Sequence, residues 1–249
     1  MKIGLLIPSR ERLNLKLTLI SSIITSVDDI NNVNLYFGID DDDPTRDIAY
    51  KIADAIPFVH IVPIHNNGKF IGLGKMWNEL ARNCDDEIFG YLGDDMIFKT
   101  KGWDTEILNE FKGANLPDDK IKAVHCFDGH RDGSTIAVNA FMHRKYMEVV
   151  GYFVREEFLI NWSDQWLYQM FNSFGRLSYR KDIHIHHNHW VFGGRKIDDT
   201  AKRMLSDNHD KDSDAMWHNL GKERFEEAKI IEKYLGYSPD WNLVDTTGA

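Results

Sequence analysis

The sequence predicts an α/β protein: a mostly parallel central sheet with helices on both faces, and a charged helical extension at the C-terminus. Two observations predict the sheet. Up to about residue 100, apolar runs of strand length alternate with stretches whose apolar residues recur at helical spacing, the rhythm of successive βα units. Four of the apolar runs break into polar loops: Pro8-Ser9-Arg10, Asp40 to Asp43, His65 to Lys69 and Gly93-Asp94-Asp95. In a parallel sheet these loops crowd one edge, which is where ligands of open α/β sheets bind. Composition predicts the extension. Beyond Arg195 charge replaces apolar periodicity until a helical stretch from Lys222 to Leu235.

The first strand is the apolar run Ile3 to Ile7, ended by Pro8; Leu13, Leu17, Ile20, Ile23 and Ile24 then read as a helix. The second strand, Leu35 to Ile39, stops at the aspartates, and a helix from about Thr45 to Ala55 follows Pro44. Val59 to Ile64 is the third strand. A loop punctuated by Gly68, Gly72 and Gly74 leads to a helix from Lys75 to Arg82. Ile88, Phe89, Tyr91 and Leu92 form the central strand, which ends at Gly93-Asp94-Asp95. The second half is less regular. We read a helix over Gly102 to Phe111, a strand over Ala123 to Phe127, a polar loop over Asp128 to Ser134 and a strand over Ile136 to Phe141. A helix over His143 to Val150 follows, then one over Asn161 to Phe174, and an alternating strand over Leu177 to Ile185. Residues 1–200 are assigned to one α/β domain and 201–249 to a helical extension packed on or near it.

With 249 residues, 43% of them hydrophobic, the chain can bury a substantial core. Its net charge of −9 argues against a protein that holds nucleic acid mainly by bulk electrostatics. The tail lysines and arginines, Lys196, Arg203, Lys211, Lys222 and Arg224, leave room for a local phosphate-contacting surface. Cys84 and Cys126 form no metal or redox pattern, and neither a signal peptide nor a membrane span is legible, so a soluble cytoplasmic protein is expected. The loop after the first strand lacks both G-x-G-x-x-G and G-x-x-x-x-G-K-[ST], which disfavours a dinucleotide fold and a P-loop.

Several residue groups point to chemistry, each beside a plainer reading. Asp94 and Asp95 at a strand's C-terminal edge offer hard oxygen ligands suited to Mg²⁺ or Mn²⁺, or are a solvated turn. Asp40 to Asp43 suggest a second metal cluster, or turn residues that begin the next helix. Asp164, between Trp162 and Trp166, is either a helix-cap carboxylate or a general base flanked by aromatic walls. Four histidines within His184 to His189 suggest a site, or are satisfied core or surface residues. A zinc site competes, but no cysteine pairs support it. On a strand His184 and His186 share one face while Ile185 and His187 share the other. An imidazole joining Asp95 would favour Mn²⁺ over Mg²⁺. Lys69 and Lys75, among glycines, either approach a phosphate or are surface lysines of a flexible loop. Trp77, Trp103 and Trp217 read as packing residues.

Taken in order, these residues resemble GT-A-fold glycosyltransferases of the family 2 type. Pro8-Ser9-Arg10, the Asp run, Gly72 through Asn78, Gly93-Asp94-Asp95, Gly102-Trp103-Asp104, Asp164 in W-S-D-Q-W and His187-x-His189 carry the resemblance, which is particularly close to short members found in phages and actinobacteria. Gly93 stands where the first Asp of the family's Asp-x-Asp pattern would be, and the Q-x-x-R-W signature of processive synthases is absent.

The resemblance implies a nucleotide-sugar donor, with a UDP-sugar favoured, and a divalent cation, Mn²⁺ or Mg²⁺. It places Pro8, Ser9, Arg10, Asp40 and Asp94 at the donor, where Lys75 is added as a lysine near the diphosphate, and Asp95, His187 and His189 at the metal. Asp164 becomes the general base of an inverting transfer, with Glu156 and Glu157 in reserve. His130, Arg131 and Trp162 are assigned to an acceptor hydroxyl, on a glycan or on a hydroxymethylated pyrimidine in DNA. Two rivals remain. A sugar nucleotidyltransferase would carry a glycine-rich loop where Pro8 to Arg12 has none. A non-catalytic nucleotide- or glycan-binding module would bind the donor without turning it over.

Overall fold

The computed structural model describes residues 1–133, 136–206 and 209–247, with backbone alone at 203, 204, 206 and 209–211. Ser134 and the side chains of Arg203 and Lys211 therefore lie outside the described residues. Strands β1 (Ile3–Ser9), β2 (Val33–Asp40), β3 (Val59–Ile64) and β4 (Ile88–Tyr91) are joined by helices α1 (Leu13–Ser26), α2 (Arg46–Ala55) and α3 (Leu73–Arg82). After β4 come β5 (Met96–Phe98), α4 (Trp103–Glu110), β6 (Ala123–Phe127), β7 (Ala140–His143), α5 (Lys145–Val150), α6 (Ser163–Ser173) and β8 (Leu177–His187). The chain ends in α7 (Asp199–Ser206), α8 (His209–Asn219) and α9 (Gly221–Leu235).

The sheet runs β3-β2-β1-β4-β7-β6-β8-β5. Its first four strands are parallel, as the βα rhythm predicts. β7 enters antiparallel between β4 and β6, and β5 pairs antiparallel with β8. β1 is buried along its whole length between β2 and β4, so its apolar run lacks the alternation of a one-sided strand. Each face carries its own core. Ile3, Leu5 and Ile7 pack under α1 and α4, while Leu6, Phe89 and Tyr91 pack under α3 and α6.

Three of the expected elements have other bounds. The strand read over Ile136 to Phe141 begins only at Ala140, because Asn139 is a side-chain bridge: its Oδ1 accepts from Cys126 N–H at 2.9 Å and its Nδ2 donates to the Ile185 carbonyl at 3.1 Å. The helix read from His143 starts at Lys145, because His143 still pairs with Ile88. β8 runs two residues past Ile185, because β5, a three-residue strand without periodicity of its own, pairs Met96 with His187 and Phe98 with Ile185.

The tail is folded against the domain. Trp217, Leu220, Ala228 and Ile231 bury into the same core as Phe158 and Trp166. Arg224 is not a surface cation: it is wholly buried over the Trp217 ring, 4.2 Å from the centroid, and donates to the Trp217 carbonyl at 2.7 Å. Its guanidinium satisfies backbone oxygens and an aromatic face, which withdraws it from any phosphate-contacting surface. No helix among the described residues is long and apolar enough to cross a membrane.

Glu227 of α9 closes this packing. Its buried carboxylate accepts from Tyr146 of α5, from Tyr152, and from Trp166 Nε1 of α6 at 2.9 Å. Glu227→Ala strands three inward donors, each costing about 1–3 kcal/mol when unsatisfied. A loss of about 3–5 kcal/mol in urea unfolding is expected, with Glu227→Gln losing less. An unchanged midpoint in Glu227→Ala would show that this carboxylate does not clamp the tail.

Candidate active site

At the C-terminal edge of the parallel strands lies a cavity of about 400 Å³. β1 delivers Pro8, Ser9 and Arg10 to it, β2 delivers Asp40, and the turn after β4 delivers Gly93, Asp94 and Asp95. α6 contributes Asp164, and the chain beyond β8 contributes His189, Trp190, Val191 and Arg195. Leu73, Met76 and Trp77 of α3 form an apolar wall, and Thr200, Ala201 and Leu205 of α7 complete the rim.

The acidic residues have distinct partners. Asp94 is buried and accepts from Ser9 Oγ at 2.6 Å and from Arg12 at 2.9 Å. Asp40, also buried, accepts from Arg10 at 3.0 Å, and the same guanidinium bonds Asp42. Asp43 accepts from Thr45 N–H at 2.7 Å and Glu11 N–H at 2.9 Å, which is the turn role and not a metal cluster. Among the described residues, one group of side chains converges as a metal site: Asp95, His187 and His189, whose ligand atoms lie within 4.8 Å of one another.

The sheet builds that group. Pairing of β5 with β8 sets Met96 opposite His187, and Asn188 N–H donates to the Asp95 carbonyl at 2.9 Å. His187 Nε2 stands 3.4 Å from Asp95 Oδ1, a spacing two ligands of one ion can share. His187 Nδ1 is buried without a hydrogen-bond partner. His189 Nδ1 accepts from Val191 N–H at 3.3 Å, which leaves its Nε2 as the free nitrogen. One carboxylate and two imidazoles suit Mn²⁺ and leave positions for oxygen ligands from a substrate. The residues fit a divalent cation.

Electrostatics separate the two adjacent aspartates. Burial opposes ionisation of Asp95, but the His187 hydrogen bond and the charges of His187, Arg12 and Arg195 outweigh it and hold the carboxyl below its usual range. Burial pushes Asp94 upward; Arg12 opposes this and the charge of Asp95 adds to it. Burial, helped by the charge of His187, pushes the His189 imidazole down to about 4, so it is neutral and available as a ligand at pH 7.

Asp164 sits in the first turn of α6 and accepts from Gln165 N–H at 2.9 Å; burial raises its pKa. Its approach depends on Trp162, which holds a left-handed backbone at φ 81°, a costly conformation for a bulky residue. Trp162 stacks on Trp217 with centroids 4.9 Å apart and donates to Asp214 at 2.6 Å. Trp162 therefore shapes the turn and does not itself line the cavity.

The cavity thus gathers Pro8, Ser9, Arg10, Asp40, Asp94, Asp95, Asp164, His187 and His189. It does not include Lys75, which faces solvent on α3. His130 and Arg131 also lie outside its lining. His130 contacts the His187 carbonyl through Nε2 at 2.9 Å and stacks on Phe192, and Arg131 pairs with Asp128 at 2.8 Å, so this loop buttresses the end of β8. Glu156 and Glu157 pair with Arg82 and Arg155, away from the cavity. His184 and His186 share the opposite face of β8 under Gly129. Sequence reasoning missed Arg12, Arg195 and Asp198, although R-K-I-D just before a helix carried the signal of an Asp cap with a basic neighbour.

Two buried histidines, His125 and His189, are expected to contribute acid sensitivity to folding. Burial pushes His125 of β6 down to about 4, like His189, against an ordinary 6.5. Between those values the unfolded chain binds protons that the folded chain does not, so stability falls as pH drops from about 6.5 towards 4. The urea midpoint is expected to be lower at pH 5 than at pH 7, and His125→Gln is expected to reduce that difference. An unchanged pH difference in His125→Gln would contradict the burial of a neutral imidazole at this position.

Neither a protein-family model nor a curated protein matches the chain. Solved structures do. A mannosyltransferase from Pyrobaculum calidifontis in complex with GDP-Man and Mn²⁺ superposes with a TM-score of 0.59 at 12% identity, over 76% of this chain and 59% of that one. S. aureus TarS 1-349 in complex with UDP gives 0.57 at 12% identity, over 74% of this chain and 59% of that one. GalNAc-T7 with UDP, GalNAc and Mn²⁺ gives 0.58 at 10% identity, over 75% and 44%. The aligned part thus spans about three-fifths or less of each of those three chains. The chain has the GT-A-type fold of these glycosyltransferases.

Proposed function

We propose that the chain is a metal-dependent glycosyltransferase that moves one sugar from a nucleoside-diphosphate donor to an acceptor hydroxyl, with inversion. The observation that carries this reading is the convergence of Asp95, His187 and His189 in the same cavity as Asp164 and the arginines Arg10, Arg12 and Arg195. The neighbours bound to UDP, or to GDP-Man and Mn²⁺, support the donor class and the ion.

Asp95, His187 and His189 hold the cation, which when bound takes up negative charge on the diphosphate. Asp40, kept in place by Arg10, accepts an N–H of the nucleobase at the outer end of the donor site. Asp94, held by Ser9 and Arg12, orients the ribose or phosphate. Asp164 takes the proton of the acceptor hydroxyl as its oxygen attacks the anomeric carbon and the bond from that carbon to the diphosphate oxygen breaks. A single displacement with one base and no enzyme nucleophile inverts the centre.

Of the two acceptor classes, the cavity favours a glycan over a hydroxymethylated base in DNA. Leu73, Met76, Trp77, Ile160 and Trp190 offer apolar faces to a pyranose, while Arg10 and Arg12 are held by Asp40 and Asp94 and Arg224 is buried.

The test is release of UDP or GDP from a donor panel with Mn²⁺, against neutral sugars and hydroxymethylated DNA. Turnover is expected to vanish with chelator. Asp164→Asn is expected to lower kcat by roughly 10²–10⁴ while donor affinity holds, the range of general-base catalysis. Because burial raises the pKa of Asp164, wild-type kcat should fall on the acid side at a pH above the ordinary aspartate value. Full turnover by Asp164→Asn would place the base elsewhere, and donor binding without turnover would favour the binding-module reading.

A further inference from the structure

A run of alternating charges links Asp94, Arg12, Asp198, Arg195 and Asp95. Arg12 reaches Asp94 at 2.9 Å and Asp198 at 2.9 Å; Arg195 reaches Asp198 at 2.7 Å and Asp95 Oδ2 at 3.4 Å. Asp198 also accepts Ala201 N–H at 2.8 Å, so the same carboxylate caps α7. Thr200 Oγ1 donates to the Arg10 carbonyl at 3.3 Å and ties that first turn to the loop after β1. The longest link in the run is the one to Asp95.

Arg195 and a divalent cation make opposing demands on Asp95. The carboxylate beside His187 and His189 is also the partner of a mostly buried guanidinium, and two positive groups at one carboxylate repel each other. Arg195 meanwhile has an unspent donor: its Nε is buried with no hydrogen-bond partner. A guanidinium has several donors in a planar fork that matches phosphate oxygens, so it can keep one carboxylate and exchange another.

The geometry points to Arg195 as an exchanging residue that couples metal binding to nucleotide binding. Without ligands it neutralises Asp95 and competes with the ion for it. When the cation and a nucleoside diphosphate enter together, Arg195 leaves Asp95, keeps Asp198 and donates to the diphosphate. Metal alone is therefore bound against a competitor, and metal with diphosphate is bound with an ally. Asp198 holds both arginines and caps α7, so it stays the fixed pivot about which Arg195 exchanges Asp95 for the diphosphate. The inference rests on the donor reading above.

Calorimetric Mn²⁺ titrations of wild type, Arg195→Gln and Arg195→Lys, each alone and with saturating UDP or GDP, test it. For Mn²⁺ alone, Arg195→Gln is expected to bind several-fold more tightly than wild type. In the presence of the nucleotide it is expected to bind about tenfold more weakly, the effect of one charge-assisted hydrogen bond to phosphate. Arg195→Lys keeps the charge and loses the fork, so Mn²⁺ alone should resemble wild type while coupling to nucleotide weakens. A merely structural arginine would not give changes of opposite sign. Unchanged or weaker Mn²⁺ binding by Arg195→Gln alone, or nucleotide coupling equal to wild type, overturns the exchange. A wild type that takes up Mn²⁺ but neither UDP nor GDP contradicts the donor reading instead, while the titration with Mn²⁺ alone still decides the competition at Asp95.

Discussion

The site depends on a small antiparallel contact, the pairing of β5 with the last residues of β8. Met96 lies opposite His187, and Asn188 N–H donates to the Asp95 carbonyl. Asp95 and the His187-x-His189 pair are about 90 residues apart in the chain, and backbone hydrogen bonds remove almost all freedom between them. The same pairing carries β8 two residues past its apolar core positions and places His187 in the lining of the cavity, while His184 and His186 stay on the other face under Gly129.

Crowding carboxylates at one sheet edge has an electrostatic cost, and the chain offsets it with arginines from outside the sheet. Arg10 neutralises Asp40, Arg12 neutralises Asp94, and Arg195 approaches Asp95. Arg12 belongs to the loop after β1 and Arg195 to the segment before α7, so charge balance at the site joins the first strand to the C-terminal third of the chain. Asp198 stands between the two arginines and fixes α7 at the rim. Farther along, Glu227 and Arg224 use buried hydrogen bonds and tryptophan faces to hold α9 against α6. The charged tail is thus a structural wall of the domain.

What could be read from the sequence follows the physics of each signal. The parallel strands were legible because burial on both faces makes continuous apolar runs, and their polar ends marked the cavity edge. The position of Asp95 and the face shared by Ile185 and His187 followed from strand geometry alone. β5 was not legible, since three residues carry no periodicity, and without β5 the partners of His187 cannot be derived. α7 and α8 were hidden because charged residues dominate their sequence and local pattern does not show which face is covered. Arg12 and Arg195 were missed for a related reason. An arginine's role is set by the carboxylates it meets, and Arg12 meets Asp94, as Arg195 meets Asp95, across more than 80 positions of sequence.

The most direct measurement is the anomalous scattering of Mn²⁺ in crystals of the protein grown with Mn²⁺ and UDP. The account predicts one strong peak bonded to Asp95 and to nitrogens of His187 and His189, with diphosphate oxygens completing its coordination. A peak at His184, His186 and His130 instead, on the opposite face of β8, would contradict it, as would a nucleotide bound away from Asp40 and Asp94.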